Sequence, residues 1–243
     1  PKGTSAPGWD DIISKTSAQR DTEVPFGNDK NDSARRAWDA EVPFGNDKGA
    51  GTAAPFILIY QGVLNDGRGL EQAIEAVSHL ENIELWLAGE GDLSQELRAL
   101  AAKFQANSKV KFLGKVPPQD LPALTRQAHA GLNLLKNKGL NYYYSLANKV
   151  FDYVQAGIPC LCMDFPEYQK LNAQFDVFHL VGDLETATLV QAIERLRTDE
   201  KWYQHLESNC RQASREWVWE KEEKKLMEFY QKLISGDARR MER

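Results

Sequence analysis

Lys149 and Asp152 occupy the polar face of a short predicted helix, directly after a polar and aromatic loop. Apolar residues at three- and four-residue steps form its other face, and Gly157 and Pro159 are typical of a helix end. These apolar residues are Leu146, Val150, Phe151 and Val154. A cation and a carboxylate side by side suit a ligand that carries phosphate and hydroxyl groups. The pattern fits an ordinary amphipathic helix with solvated charges equally well, so this stretch alone leaves both interpretations open.

A glycine-rich segment at 61–69 is the second candidate, because it follows a predicted strand and precedes a predicted helix. Its glycines let a phosphate approach the backbone, and its free N–H groups and the following helix N-terminus favour an anion. Arg68 carries a guanidinium that can bind a diphosphate bidentately. We therefore predict a pyrophosphate site that includes Gly62 and Arg68. The alternative is a simple turn at residues 65–67.

Other positions give weaker signals. Gly89 and Gly91 follow the second predicted strand, where a turn leading into a helix is the better explanation when these residues are taken by themselves. Asp92 with Gln95 predicts a capping box for that helix.

His79 and His179 are predicted to be structural, and neither His129 nor His205 has a visible Asp or Cys partner for a triad or a metal site. No spacing typical of metal ligands occurs, so we expect no metal site.

Alternating apolar runs and amphipathic helices must position these residues. Strands are predicted at 56–60, 83–88, 110–113, 130–135, 158–163 and 177–181, with helices between them and a final helix over 217–234. This alternation predicts a doubly wound, Rossmann-like parallel sheet of about six strands. In such a sheet, ligands bind beyond the carboxyl ends of the strands. The candidate residues follow strands, as that rule requires.

Composition excludes several classes of protein. A net charge of −5 argues against a nucleic-acid partner, because such proteins normally carry a basic surplus. No apolar run reaches the roughly 20 residues that a membrane span needs. Three cysteines cannot all pair, and two of them, Cys160 and Cys162, lie on one face of a predicted strand, so we expect reduced thiols and a cytoplasmic protein.

The first 54 residues differ from the rest. They are rich in Gly, Pro, Asp, Asn and Ser, and the octapeptide Glu-Val-Pro-Phe-Gly-Asn-Asp-Lys occurs at 23–30 and again at 41–48. Two copies are too few for a solenoid. We predict an irregular linker or an artificially added segment at 1–54, with one short helix around 9–15, a Rossmann-like domain at 55–235 and a tail at 236–243.

The motif Ser-Leu-x-Asn-Lys-x-Phe-Asp-Tyr-x-x-Ala-Gly-x-Pro at 145–159, read with the glycines at 62–69 and 89–91, resembles a known family. It is similar to the C-terminal, donor-nucleotide-binding domain of retaining GT-B glycosyltransferases of the group 1, family 4-like type. The resemblance covers residues 55–234. It implies a Rossmann-like half of a GT-B fold, a nucleotide-diphosphate sugar as substrate and no cofactor or metal, because cations and helix dipoles manage the leaving diphosphate.

The resemblance also implies roles for single residues. Gly62 and Arg68 match the family's diphosphate loop, but Val63 stands where a first cation is usual, and Lys149 is the candidate replacement. Many relatives carry two glutamates seven residues apart. Asp152 takes the place near the ribose and Tyr144 the place near the donor sugar.

In the family, the glycines corresponding to Gly89 and Gly91 lie near the nucleotide. The Phe-x-Gly-x-Val segment implies that Gly114 and Val116 hold the nucleobase through their backbone.

The family's architecture needs two Rossmann-like domains, and this chain contains one. We therefore expect the donor-binding part of a hexosyltransferase of polysaccharide biosynthesis type, inactive without its N-terminal acceptor domain. We expect the longer parent protein to use a saccharide or lipid-linked acceptor, which is compatible with peripheral membrane association of that parent. A stand-alone nucleotide-binding or regulatory module and half of a sugar-nucleotide epimerase remain the alternatives.

Overall fold

The computed structural model describes residues 54–234 of the chain. The predicted helix at 9–15, the octapeptide repeat and the tail at 236–243 lie outside these residues. Six strands are present in the described part: β1 (Phe56–Gln61), β2 (Ile83–Ala88), β3 (Val110–Gly114), β4 (Ala130–Asn133), β5 (Cys160–Met163) and β6 (Phe178–Val181). All neighbouring strands pair in parallel, in the order β3-β2-β1-β4-β5-β6. The predicted fold class is confirmed.

Helices connect the strands. They are α1 (Leu70–Ser78), α2 (Ser94–Lys103), α3 (Leu121–Thr125), α4 (Leu140–Tyr143), α5 (Asn148–Gln155), α6 (Pro166–Phe175), α7 (Thr186–Thr198), α8 (Glu200–Glu216) and α9 (Trp219–Ile234). By contact, α1 packs with α2 and α7, whereas α5 packs with α3 and α8.

Both faces of the sheet are covered. Successive side chains of a strand point to opposite faces, and Leu58 and Ile59 of β1 are both fully buried. All four residues of β4 and of β5 are buried as well. Continuous burial of this kind is typical of a parallel sheet between helical layers.

The strand β4 is shorter than predicted. It ends at Asn133, and Leu134 and Leu135 remain buried beyond the ladder. A Cβ atom on Gly69 would lie 2.1 Å from the Leu134 carbonyl oxygen. The chain therefore leaves the sheet at this point to pack against the start of α1.

Three local predictions are wrong. Helix α5 begins at Asn148, so Leu146 precedes it and is 42% exposed. Asp92 does not cap α2: the helix begins at Ser94 without a side-chain cap, and the Asp92 N–H donates to Asn65 Oδ1. Trp217 precedes the last helix and packs edge-on against the rings of Phe151 and Phe175.

Candidate functional site

The sheet reverses its strand order between β1 and β4. The chain runs from β1 to β2 and β3 on one side and then returns to add β4 on the other. A crevice at the carboxyl ends of the strands is expected at such a switch point. The β1–β4 ladder is short, with paired residues only at Leu58↔Ala130 and Ile59↔Gly131.

Tyr153 of α5 bridges the two strands beyond this ladder. Its hydroxyl accepts a hydrogen bond from the Gln61 N–H and donates one to the Leu132 carbonyl, both at 3.3 Å. The ring fits because position 131 is glycine, where a Cβ atom would lie 2.2 Å from the Tyr153 ring. Helix α5 is thereby fixed directly over the switch point, with Lys149 and Asp152 on its preceding turn.

The glycines predicted for the site pack backbone to backbone. A Cβ atom on Gly89 would lie 1.9 Å from the Gly62 carbonyl oxygen, and one on Gly91 would lie 2.5 Å from Asn65 Oδ1. Gly62 has φ of +136°, a conformation that side chains disfavour. The structure therefore brings Gly62, Gly89 and Gly91 together, as loops after β1 and β2 that touch each other.

Fewer backbone donors are free in the loop after β1 than we expected. The N–H groups of Gly62, Leu64 and Asn65 already bond to carbonyl oxygens, at 2.9, 3.3 and 3.1 Å. The prediction of a loop with free N–H groups is therefore wrong for these three residues. Charge at this site comes mainly from side chains.

Lys149 lies beside Gly62 and above an aromatic ring. Its Nζ is 3.6 Å from the centre of the Tyr60 ring, and a Cβ atom on Gly62 would lie 3.3 Å from it. Burial, reinforced by the nearby Arg68 guanidinium, lowers the pKa of Lys149 to about 7. Tyr60 is held in place by its hydroxyl, which donates to the Val63 carbonyl at 2.9 Å.

Arg68 is the second cation. It is half-buried, its Nε lacks a hydrogen-bond partner, and its guanidinium carbon is 5.9 Å from the centre of the Tyr142 ring. Within residues 54–234, neither Arg68 nor Lys149 forms an ion pair. Two neighbouring cations without a carboxylate partner form a site suited to an anion.

The loop that carries Arg68 is fastened to the segment after β4. The Lys136 N–H donates to the Gly67 carbonyl at 3.0 Å, and Lys136 Nζ lies 2.9 Å from Glu71 Oε1 and 3.7 Å from Asp66 Oδ1. Lys138 also pairs with Asp66. The nearby lysines are thus neutralised by carboxylates, which leaves Arg68 as an available charge.

Asp152 supplies the carboxylate of the site. Its Oδ2 accepts a hydrogen bond of 3.0 Å from Gln61 Nε2. Partial burial raises the pKa of Asp152, while the Gln61 hydrogen bond and the charge of Lys149 oppose the rise. A carboxylate with further free lone pairs can accept hydrogen bonds from ligand hydroxyl groups.

The remaining predicted residues lie further out. Gly114 ends β3 with φ of +68°, and a Cβ atom there would lie 3.7 Å from Glu90 Oε1, so the loops after β2 and β3 adjoin. Val116 is half-buried in that loop. Tyr144, at the end of α4, is 56% exposed and contacts the Tyr143 ring edge-on.

Sequence reasoning missed Gln61, Thr125, Tyr60 and Tyr142. Gln61 and Thr125 are 5% and 1% exposed, and Thr125 Oγ1 donates to Gln61 Oε1 at 2.8 Å. The available signal was a glutamine at the end of an apolar strand, because a buried amide requires polar partners.

One histidine does have an acidic neighbour, contrary to expectation. His205 Nε2 lies 2.8 Å from Asp176 Oδ2 on the exposed side of α8. No group of three or more potential metal ligands occurs among the described residues. Among the same residues, no helix is long and apolar enough to cross a membrane.

Comparisons with known proteins place this geometry in a family. Residues 47–217 match the family model described as glycosyl transferases group 1. No curated protein sequence matches the chain significantly.

Solved structures share the fold. Anabaena HepE in complex with UDP is 17% identical, with a TM-score of 0.59 over 67% of this chain and 44% of HepE. Sucrose-phosphate synthase from Thermosynechococcus elongatus is 20% identical, with a TM-score of 0.65 over 75% of this chain and 46% of the synthase. The chain therefore spans less than half the length of these two proteins.

A separate C-terminal domain also matches. The C-terminal domain of the group 1 glycosyl transferase LpcC from Francisella tularensis is 13% identical, with a TM-score of 0.54 over 65% of this chain and 84% of that domain. The family model covers well over half of the chain, and the resemblance seen in the sequence motif is confirmed. The chain belongs to the group 1 glycosyl transferases, in the region that has the fold of their C-terminal domain.

Proposed function

We propose that this chain is the donor-binding part of a retaining glycosyltransferase, which moves a sugar from a nucleotide-diphosphate sugar to a saccharide or lipid-linked acceptor. One observation carries the proposal: Lys149 lies beside Gly62 at the switch point, the nearby charge of Arg68 acts on it, and neither cation has an ion-pair partner in the described residues. In a chain of net charge −5, such a pair is a local exception.

The diphosphate lies between these two cations. Arg68 binds its oxygens through the guanidinium, and Lys149 supplies the charge that Val63 does not. Both interactions strengthen as negative charge develops on the leaving diphosphate, so they assist departure of the leaving group. Because two side-chain cations supply this charge, we expect no metal cofactor.

The other residues surround the rest of the donor. Asp152 accepts hydrogen bonds from the ribose hydroxyls, and Gly89 and Gly91 keep space beside them. Gly114 and Val116 hold the base through their backbone, and Tyr144 faces the donor sugar. HepE, which shares the fold, was solved with UDP, which supports a uridine nucleotide as the first probe.

An N-terminal acceptor domain is the proposed partner. The chain spans less than half of HepE and of the synthase. Helix α9 presents Leu226, Phe229, Tyr230 and Leu233, each more than two fifths exposed. An apolar stripe of this kind fits the surface of an absent domain.

A thermal-shift panel tests donor binding. The purified chain is melted with UDP, GDP, ADP and free uridine, with and without EDTA. We expect at least one diphosphate to raise the melting temperature, the nucleoside to have little effect and EDTA to change nothing. If no nucleoside diphosphate shifts the melting temperature, the proposed donor site is wrong. If the shift needs a divalent ion, the metal-free assignment is wrong.

Product analysis tests the need for a second domain. Positioning donor and acceptor together supplies much of the rate acceleration, and in this fold the acceptor binds on the other domain. Incubation of this chain with UDP-glucose, GDP-mannose and oligosaccharide or lipid-linked acceptors should therefore give no glycosylated product by mass spectrometry. Glycosylated product from this chain alone would contradict the proposal that the acceptor binds on a second domain.

A further inference from the structure

Gln61 links three elements at the site. It is the last residue of β1, and its side chain is 5% exposed. Its Nε2 donates to Asp152 Oδ2 of α5 at 3.0 Å, and its Oε1 accepts from Thr125 Oγ1 of α3 at 2.8 Å. Thr125 itself is 1% exposed. Both ends of a buried amide are thus paired, one of them with the exposed carboxylate of the site.

We propose that Gln61 is a positioning residue that holds the Asp152 carboxylate in the orientation that binds the ribose hydroxyls of the donor. This inference rests on the proposed function, because Asp152 must be the ribose ligand for its orientation to matter.

The hydrogen bond leaves Asp152 open on the ligand side. A carboxylate offers about four acceptor positions on two oxygens. Gln61 uses one of them, on Oδ2, so Oδ1 and the rest of Oδ2 stay free for hydroxyl donors. Gln61 is the sole hydrogen-bond partner of this carboxylate recorded within residues 54–234. Without the Gln61 hydrogen bond, the Asp152 carboxylate could rotate. The entropy lost when the ribose orders this side chain would then reduce the binding affinity.

The direction of the Gln61 amide follows from its neighbours. With the amide reversed, Oε1 would lie 3.0 Å from a carboxylate oxygen, two acceptors facing each other. The Thr125 hydroxyl at the other end can donate or accept, and it also lies 2.7 Å from the Leu121 carbonyl oxygen. The Asp152 carboxylate therefore decides the orientation of the amide.

Backbone contacts hold Gln61 and helix α5 in register. The Gln61 backbone N–H donates to the Tyr153 hydroxyl. The Gln61 side-chain amide donates to the carboxylate of Asp152, the residue before Tyr153 in α5. Main chain and side chain of one strand residue thus bind consecutive helix residues.

The test measures selectivity for ribose. Isothermal titration gives the affinities of UDP and 2′,3′-dideoxyUDP for the chain, and the ratio of the two affinities is compared among variants. In the wild-type chain UDP should bind more tightly. Asp152→Ala should abolish most of this preference, and Gln61→Leu should reduce it several-fold, because the released carboxylate must be ordered when the ribose binds.

Two further variants separate positioning from a loss of folding. Gln61→Glu keeps the shape and an acceptor for Thr125 but places an acceptor against Asp152, so at pH 8 it should lose the preference as well. Gln155→Leu is the matched control, because Gln155 Nε2 also ties two elements together, at the Ser214 and Trp217 carbonyls, but lies away from the crevice. It should lower stability and leave the ratio unchanged.

A ligand-free measurement checks the contact itself. Carboxyl-carbon NMR titration of Asp152 should show a higher pKa in Gln61→Leu than in the wild type, because the Gln61 hydrogen bond lowers that pKa. If Gln61→Leu acted through a general loss of packing, the pKa of Asp152 would change in Gln155→Leu as well.

The outcomes distinguish the two proposals. If Asp152→Ala loses the ribose preference while both Gln61 variants keep it, the positioning role of Gln61 alone is overturned. If Asp152→Ala keeps the preference, or if the wild-type chain binds neither nucleotide, the proposed ribose site is wrong and this inference falls with it.

Discussion

Cations of the last three helices and cations beside the glycine loop differ in their partners. On α7, α8 and α9, Arg197, Arg211 and Lys225 each lie within 2.6–3.1 Å of a glutamate one helical turn away. At the switch point, Arg68 and Lys149 have no carboxylate within ion-pair distance among the described residues, and each is half-buried.

The difference separates two uses of positive charge. Exposed pairs within a helix contribute between 0 and about 1 kcal/mol and keep the surface soluble. Unpaired, half-buried cations that repel each other reduce the stability of the folded chain. Such a cost is typical of sites that a ligand completes, because an anion then supplies the missing partner. The comparison predicts that substitutions at the switch point alter binding and that equivalent substitutions on the helices do not.

The largest effect is expected for Arg68→Ala. Loss of a bidentate, charge-assisted contact should weaken UDP binding by about tenfold or more, as removal of roughly 1.5–3 kcal/mol predicts. Uridine lacks the diphosphate, so its affinity should hardly change. Calorimetric titration of both ligands measures this. Equal losses for UDP and uridine would place Arg68 away from the diphosphate.

Asp152→Ala should have the next largest effect on binding. Removing the carboxylate leaves ribose hydroxyls without an acceptor and should cost roughly 1–3 kcal/mol, or at least several-fold in UDP affinity. The same titration measures it, with circular dichroism to show that the variant is folded. Unchanged affinity would make Asp152 a solvated helix residue, the alternative that the sequence left open.

Lys149 should affect stability in a pH-dependent way. Burial and Arg68 hold its pKa near 7, against the opposing effects of Cys160, Asp152 and Cys162. A lysine with a lowered pKa in the folded state binds fewer protons than in the unfolded chain between pH 7 and about 10.5, so its contribution to stability rises over that window.

Lys149→Met removes this dependence. Its melting temperature should exceed that of the wild type most clearly at pH 6 to 7, and the gap should narrow as pH rises to 9. The variant should also bind UDP more weakly. A constant gap at all pH values would mean that Lys149 keeps an ordinary pKa.

The smallest effect is expected for Lys225→Met on α9. Its partner Glu222 is exposed, so the free energy of unfolding should change by less than about 0.5 kcal/mol, with no dependence on pH between 6 and 9 and no change in UDP affinity. Urea unfolding at each pH measures the free energy of unfolding, and calorimetric titration measures the UDP affinity. A loss of UDP affinity here would remove the contrast between the two groups of cations.

Periodicity predicted the strands well because most of them are apolar runs that the sheet buries on both faces. β2, for example, has the predicted bounds. The exception to this burial is β3, in which Lys111 and Leu113 are exposed. Failures occur where tertiary contacts decide a local boundary. Leu146 fits the apolar stripe of α5 by spacing, but the Ala147 N–H donates to the Tyr168 hydroxyl and the helix starts one residue later. This contact cannot be predicted from the sequence.

The charged residues of the candidate site could be selected from the sequence, whereas the residues that hold them in place could not. Arg68, Lys149 and Asp152 stand out in the sequence because they interrupt glycine-rich or apolar patterns. Gln61 and Tyr60 do not, since their roles depend on which helix lies over the end of β1. The capping box at Asp92 failed for the same reason, because Asn65 from another loop binds the Asp92 N–H.

The tight fit between Gly131 and Tyr153 limits the order in which this sequence can change. Any side chain at 131 would collide with the ring, whereas loss of the ring would leave the Gln61 N–H and the Leu132 carbonyl without their bridge. A substitution at either position alone therefore lowers the stability of the fold. We expect the two positions to change together in evolution or to stay unchanged. A double-mutant cycle with Gly131→Ala and Tyr153→Leu, followed by urea unfolding, should show a combined loss smaller than the sum of the two; additive losses would mean that the positions evolve independently.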